Sequence, residues 1–272
     1  MTQMRSILES EFRDGAWNMA VDSAIVDGVA AGMQPPTLRL YGWEPFCLSL
    51  GYGQRAREAD LLALKARGWD LVRRPTGGKA ILHGDELTYS LCLPLDHPLA
   101  RGDVVESYRR ISIGLLRALE RLSLPASAQH QGASVQLREA GPVCFELSSH
   151  YEITVAGYKL IGSAQLRRKG VMLQHGTIPL CGDVARICDA LAFESEGDRE
   201  AQRQRVRERA STLAQVMRRE PSWTEVAAAL ERGTSEAFDL TLVRGQLSEC
   251  EAAQAEAYKA ERFGNLEWTN KR

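Results

Sequence analysis

Long apolar runs are missing from this 272-residue chain. No stretch approaches the ~18 consecutive apolar residues that mark a membrane-spanning helix. The opening MTQMRSILESEFRDG has no apolar centre of the kind a secretory signal carries. An excess of one charge is missing too: 34 Lys and Arg stand against 35 Asp and Glu, a net charge of -1. That balance excludes the basic footprint of a nucleic-acid binder. We therefore expect a cytoplasmic protein with no nucleic-acid and no membrane partner. Cysteine pairs are absent as well. The six cysteines, Cys47, Cys92, Cys144, Cys181, Cys188 and Cys250, form no CxxC spacing. Zinc ribbons and redox dithiols are thus disfavoured, a disulfide framework is not expected, and no metal or cofactor is called for. Most of these thiols are expected to act as small buried hydrophobes.

What is present reads as a globular α+β chain. Hydrophobic residues make up 44% and charged residues 25%, enough apolar material for a sizeable core. Residues 14–31 read as a helix with Trp17, Ala20, Val21, Ala24, Ile25 and Val29 on one face. TLRLYGW and FCLSLGY read as strands joined through Glu44-Pro45, and READLLALKARG as a helix stopped by Gly68. In ELTYSLCLPL, Leu87, Tyr89, Leu91 and Leu93 share one face and Thr88, Ser90 and Cys92 the other. Residues 104–122 form a strongly amphipathic helix. Residues 143–178 are β-rich with a turn at Gly157, and the chain becomes helical and charged from 183 onward. The Arg-rich GDREAQRQRVRERAS reads as a solvated helix of mixed charge. With strands interrupted by single helices and helices gathered at the end, we expect a mixed sheet with flanking helices. We expect one domain over 1–272, with a core at about 30–240 and a helical segment over 241–272, in a monomer.

RRPTGGKAILHGDELTYSL, residues 73–91, is the segment that suggests a site. A phosphate-binding P-loop would need glycine at 73, where Arg73 stands, and Ser or Thr at 80, where Ala80 stands. A dinucleotide GxGxxG is absent, because Gly77 and Gly78 are adjacent. Two readings stay open on the residues alone. One is a plain hairpin with surface arginines. The other is a wall where glycine backbone approaches a ligand and Arg73 and Arg74 hold an anion.

RRPTGGKAILH resembles the RRxxGGxxxxH segment of the lipoate–protein ligase and octanoyltransferase family, which shares its catalytic-domain fold with biotin–protein ligases. WNMAVDSAI at 17–25 resembles the opening helix of that family. YEITVAGYKLIGSAQLRRKGVMLQHGTIPL at 151–180 resembles its second signature, a lysine before G-S-A and a later H-G-T. These landmarks occur in order over residues 15–180. GPVCFELSSHYEI further resembles the LipM-type octanoyltransferases, whose "CF" cysteine matches Cys144. His150, in the same stretch, receives no role.

The resemblance implies that Cys144 is a nucleophile and that Lys159 lowers its pKa. It implies that Gly77 and Gly78 let backbone approach an acyl chain or pantetheine arm, and that Arg73 and Arg74 shape the wall or steer a phosphate. His83, His175, Gly176 and Thr177 become pocket residues, and backbone N–H groups near Gly162, Ser163 and Ala164 become oxyanion-hole candidates. The implied reaction moves octanoyl from acyl carrier protein, through a cysteine thioester, to the lysine of a lipoyl domain in glycine cleavage H protein or an E2 subunit. Exchange between thioesters is nearly isoenergetic, so no ATP is needed. A free thiol titrates near 8.5, so a nearby cation is wanted to favour the thiolate. Strands 81–93 and 171–178 would line the acyl tail, whose burial could supply on the order of 5 kcal/mol at ~0.8 kcal/mol per CH₂. Basic residues at 167–169 and at Arg109 and Arg110 are candidates to meet the acidic carrier. An ATP-dependent lipoate ligase and an octanoyl amidotransferase are the alternatives within the family.

Overall fold

A computed structural model describes residues 2–129 and 152–272. The chain begins with β1 (Thr2–Leu8) and α1 (Gly15–Ala30), then β2 (Thr37–Tyr41) and β3 (Cys47–Leu50). There follow α2 (Leu61–Arg67), β4 (Asp70–Arg73), β5 (Ile81–His83), β6 (Glu86–Pro94), α3 (Val104–Arg121) and β7 (Ala126–Gln129). Next come β8 (Glu152–Val155), β9 (Tyr158–Arg168), β10 (Val171–Pro179), α4 (Glu196–Arg209), α5 (Leu213–Met217) and α6 (Trp223–Phe238). The chain closes with β11 (Leu240–Arg244), α7 (Glu249–Tyr258), a π-helical turn at Lys259–Phe263 and α8 (Leu266–Thr269).

Two sheets result. The larger has eight strands in the order β11-β1-β2-β6-β10-β9-β8-β7, and the smaller has three in the order β4-β3-β5. Both two-residue turns beside β9 are of the type that matches sheet twist. Ala156 and Gly157 have φ of 51° and 84°, and Lys169 and Gly170 have 52° and 76°. The turn expected at Gly157 is there.

Alternation along the central strands separates two buried layers. Leu87, Tyr89, Leu91 and Leu93 of β6 join Met172 and Ile178 of β10 under Ile111, Leu115 and Leu119 of α3 and Val226 and Leu230 of α6. Cys92, Val171, Leu173 and Tyr41 face the other way, against Met19, Val21 and Ile25 of α1. Helix α1 is not amphipathic as expected; it is buried on nearly all sides, Asn18 and Asp22 included. A helix sandwiched between layers needs no polar face. The Arg-rich α4 is the expected solvated helix, laced by pairs such as Arg203–Asp189 and Arg207–Asp183, with Gln202 and Val206 buried.

The structure differs from one expectation and decides against one open reading. The core does not stop at 30 and 240. β1 lies between β11 and β2 with parallel pairing on both sides, so the sheet includes residues 2–8, and the segment after 240 opens with a strand rather than a helix. The Arg-Arg-Pro-Thr-Gly-Gly turn is also not a hairpin. β4 and β5 never pair with each other; both flank β3, β4 parallel and β5 antiparallel. The turn therefore crosses over β3, and its arginines are buried: Arg73 is 0% exposed and Arg74 2%.

Arg73 ties the chain's last turn to this crossover. Its Nε and Nη2 donate to the Thr269 carbonyl at 2.9 and 2.6 Å, and Nη1 donates to the Gly51 carbonyl at 2.9 Å and to that of Gln54 at 2.5 Å. The Trp268 indole returns a bond to the Arg73 carbonyl at 2.8 Å. Replacing Arg73 with Met strands these carbonyls. We predict a loss of about 3 kcal/mol in unfolding free energy by urea titration, with residues 259–272 cleaved earlier in limited proteolysis. An unchanged midpoint and cleavage pattern would refute this role.

Candidate functional site

The crossover puts the α1 face of the larger sheet opposite the smaller sheet. On β3, Leu48 and Leu50 face away into a separate apolar cluster, while Ser49 turns inward. A pocket forms in the gap. Met19, Tyr41, Trp43 and Ile81 supply apolar wall, Gly78 and Arg74 the rim, and His83, Thr88, His175 and Thr177 the polar points. Gly162, Ser163, Ala164 and Gly176 complete the lining. Three separate sequence signatures thus converge on one cavity. Of the two strand segments expected to line an acyl tail, Ile81, His83, Thr88, His175, Gly176 and Thr177 line this pocket; the leucines of β6 belong to the opposite core.

Arg74 holds the rim by backbone bonds. It donates to the carbonyls of Ser49 at 3.0 Å, Gly77 at 2.9 Å and Lys79 at 2.7 Å. Gly78, at φ 93°, presents its carbonyl to Gly51, where an added Cβ would lie 2.0 Å from that oxygen. Two backbones meet there without side chains between them. Gly77 does not line the pocket, and Arg73 turns toward the C-terminal segment.

Both histidines are committed. His83 Nε2 lies 2.8 Å from Ser49 Oγ and Nδ1 lies 2.6 Å from Glu86 Oε1, and the ring stacks on Trp43 at 3.9 Å. His175 Nε2 lies 2.7 Å from Thr76 Oγ1 in the glycine turn, and Nδ1 lies 3.4 Å from Asp22 Oδ2 on α1. Asp22 also meets Arg39 at 2.8 Å and accepts from the Tyr41 hydroxyl at 3.0 Å. Burial alone would raise the Asp22 carboxyl, but the His175 hydrogen bond and the Arg39 charge overcome it and hold it low. Burial pushes His175 below its usual range despite the pull of Asp22, so it is neutral at pH 7.

At the other end, Lys159 is the only lysine buried among the described residues. Its Nζ sits 2.8 Å from Glu152 Oε1 across the β8–β9 hairpin. Its Cε passes 3.8 Å from where a Cβ on Gly162 would be, at the edge of the pocket. Gly162, Ser163 and Ala164 lie directly opposite Thr177, Gly176 and His175 in the β9–β10 ladder. Gly176 admits no side chain, because a Cβ would meet Ser163 Oγ at 2.5 Å and Tyr89 Cε1 at 2.6 Å. Cys144 and His150 lie outside the described residues. None of the other five cysteines lines this pocket. Burial holds the thiols of Cys47 and Cys92 far up, and burial with Glu220 and Asp85 nearby raises Cys181 to about 11. Among the described residues no group of His, Cys, Asp and Glu is placed to hold a metal, and no helix is long and apolar enough to cross a membrane.

The expected basic surface is partly spoken for. Arg167 donates to the carbonyls of Ala100 at 3.1 Å and Asp103 at 2.8 Å, Arg110 to that of Arg101 at 2.5 Å, and Lys169 pairs with Asp27 at 2.8 Å. Arg109 and Arg168 are exposed.

Asp22, Arg39, Thr76, Ser49 and Glu86 are the site residues sequence reasoning missed. Asp22 carried a usable signal: a lone carboxylate inside the apolar run AVDSAIV. A helix buried all round would have forced it inward and required a partner.

Comparison with known proteins gives a consistent result. Residues 14–235 match the family model of the lipoyl protein ligase A/B catalytic domain. The chain is 43% identical over 257 residues to an octanoyltransferase LipM of Kyrpidia tusciae, covering 93% of each chain. It is 41% identical over 268 residues to one of Symbiobacterium thermophilum, covering 96% of each. In fold it resembles a chain of the bipartite lipoate protein ligase system of Thermoplasma acidophilum, with a TM-score of 0.83 at 24% identity, covering 99% of this chain and 97% of that one.

The neutral, buried His175 has a consequence for stability. Unfolded histidine titrates near ~6.5, above the depressed value in the folded pocket, so acid favours the unfolded chain. Its contribution is complete above about pH 6.5 and is lost as pH falls toward the folded value. We predict a melting temperature that drops from pH 7 to pH 5, with a shallower slope in His175→Gln. Parallel slopes in the two proteins would contradict the assignment.

Proposed function

The chain belongs to the lipoyl protein ligase A/B catalytic-domain family, and we propose that it carries octanoyl groups through a thioester on Cys144. It is an octanoyltransferase, as are the LipM relatives it matches along nearly its whole length, and its family acts on lipoyl-domain proteins. That full-length match carries the reading. The pocket supports it: one side is apolar enough for an alkyl chain, and the buried Lys159 lies near Gly162 of its lining.

The donor is octanoyl-acyl carrier protein. The Cys144 sulfur attacks the acyl carbonyl, a new C–S bond forms, the bond to pantetheine sulfur breaks, and the thiol proton leaves with that sulfur. The acceptor lysine amine then attacks the enzyme thioester. An amide C–N bond forms, the C–S bond to Cys144 breaks, and an amine proton returns to the thiol. Lys159 would favour the Cys144 thiolate electrostatically. The alkyl chain lies along Met19, Trp43 and Ile81, held against the glycine rim that Arg74 braces. Arg73 acts at a distance, through the rim. Exposed Arg109 and Arg168 are the basic groups left to meet an acidic carrier.

Mass spectrometry of the intact protein mixed with octanoyl-acyl carrier protein, without ATP, tests this. The wild type should gain one octanoyl mass that hydroxylamine removes, and a lipoyl domain should discharge it. Cys144→Ser should gain none. Acyl transfer only from free acid with ATP would instead assign a ligase. Loading from an octanoylated lipoyl protein but not from the carrier would assign an amidotransferase.

A further inference from the structure

Every polar side chain of the pocket but one has a partner. Tyr41 bonds to Asp22, Trp43 to Thr88, Thr88 to Glu86 and Ser163 to Tyr89. Arg74, His83 and His175 are held as described. The exception is Thr177. It is 1% exposed, and its Oγ1 is buried with no hydrogen-bond partner. An unpaired buried hydroxyl destabilises a fold, and of the unpartnered buried side-chain atoms among the described residues this is the one in the pocket lining, where a ligand could satisfy it.

The surroundings say which atom of a ligand it would meet. Thr177 stands directly opposite Gly162 across the ladder. Paired residues in antiparallel strands project to the same face about 5 Å apart. On that face Gly162 leaves room among the described residues: a Cβ there would find, of those residues, only Lys159 Cε within 4 Å, at 3.8 Å. One small empty site is thus bounded by the Thr177 hydroxyl on one strand and the Lys159 side chain on the other. It adjoins the pocket, since Gly162 and Thr177 both belong to its lining. The acyl chain brings one polar atom into such a site, its carbonyl oxygen.

We infer that Thr177 Oγ–H donates to the octanoyl carbonyl oxygen and stabilises the oxyanion formed at each acyl transfer, with Gly162 required as the vacancy that admits that oxygen. The inference rests on the octanoyl-transfer reading above. It gives the oxyanion a side-chain donor in place of the backbone amides of 162–164, which lie within the β9–β10 ladder. Removing one such donor costs about 10²-fold or more in rate.

The test is single-turnover loading from octanoyl-acyl carrier protein at saturating donor, followed by mass, together with melting temperatures. Thr177→Val keeps the shape and removes the hydroxyl. We expect its loading rate to fall about 100-fold while its melting temperature stays level or rises, and Thr177→Ser to restore most of the rate. Gly162→Ala should fold normally and load slowly, because its methyl fills the vacancy. If wild type loads and Thr177→Val loads within threefold of it, this inference fails while the thioester reading stands. A Thr177→Val protein that melts several degrees lower and is not restored by Ser assigns the hydroxyl a structural role and also overturns it. If wild type itself does not load, the octanoyl-transfer reading fails, and this inference with it.

Discussion

The buried ion pair between Arg39 and Asp22 is the contact on which the pocket depends. Both side chains are 0% exposed, and the pair is 2.8 Å long. Such a pair is stable only when the remaining donors and acceptors are also satisfied. Arg39 does this by reaching Glu9 at 2.6 Å and the Asn18 side chain at 2.9 Å. Asp22 does it by receiving Tyr41 and His175. One network therefore fixes α1 against β2, holds β10 to α1, and through His175 and Thr76 positions the glycine crossover.

The same arrangement explains why the cavity suits an alkyl chain. Apart from Thr177, its polar side chains direct their hydrogen bonds to protein groups and not to the space between them. Trp43, Thr88, Glu86, His83 and Ser49 form a continuous chain from β2 to β3. What the cavity presents inward is mainly ring faces, methyls and glycine backbone, with the Lys159–Glu152 pair near Gly162 of its lining. An alkyl group would gain from leaving water there.

Much of the fold was legible in the sequence because its elements follow simple periods. The alternation in ELTYSLCLPL separates the two cores as observed, and the positive-φ turn at Gly157 stands where the glycine predicted it. What sequence could not convey was pairing between distant segments. Nothing local says that β4 and β5 flank β3 instead of each other, or that β11 returns to lie beside β1. The site was legible as motifs, and His83, His175, Gly176 and Thr177 do line one pocket. The arginines of the opening motif are different: sequence left open whether Arg73 and Arg74 hold an anion or shape a wall, and the bonds described above tie both to backbone carbonyls. That distinction depends on burial, which the motif does not encode.

The relay proposed above requires that Lys159 favour the Cys144 thiolate. The most direct measurement is the pH dependence of Cys144 alkylation by iodoacetamide, read by peptide mass in wild type and in Lys159→Met. The wild-type midpoint should lie well below the ~8.5 of a free thiol and move up in the variant. A midpoint at or above that value, unmoved by the substitution, would contradict it.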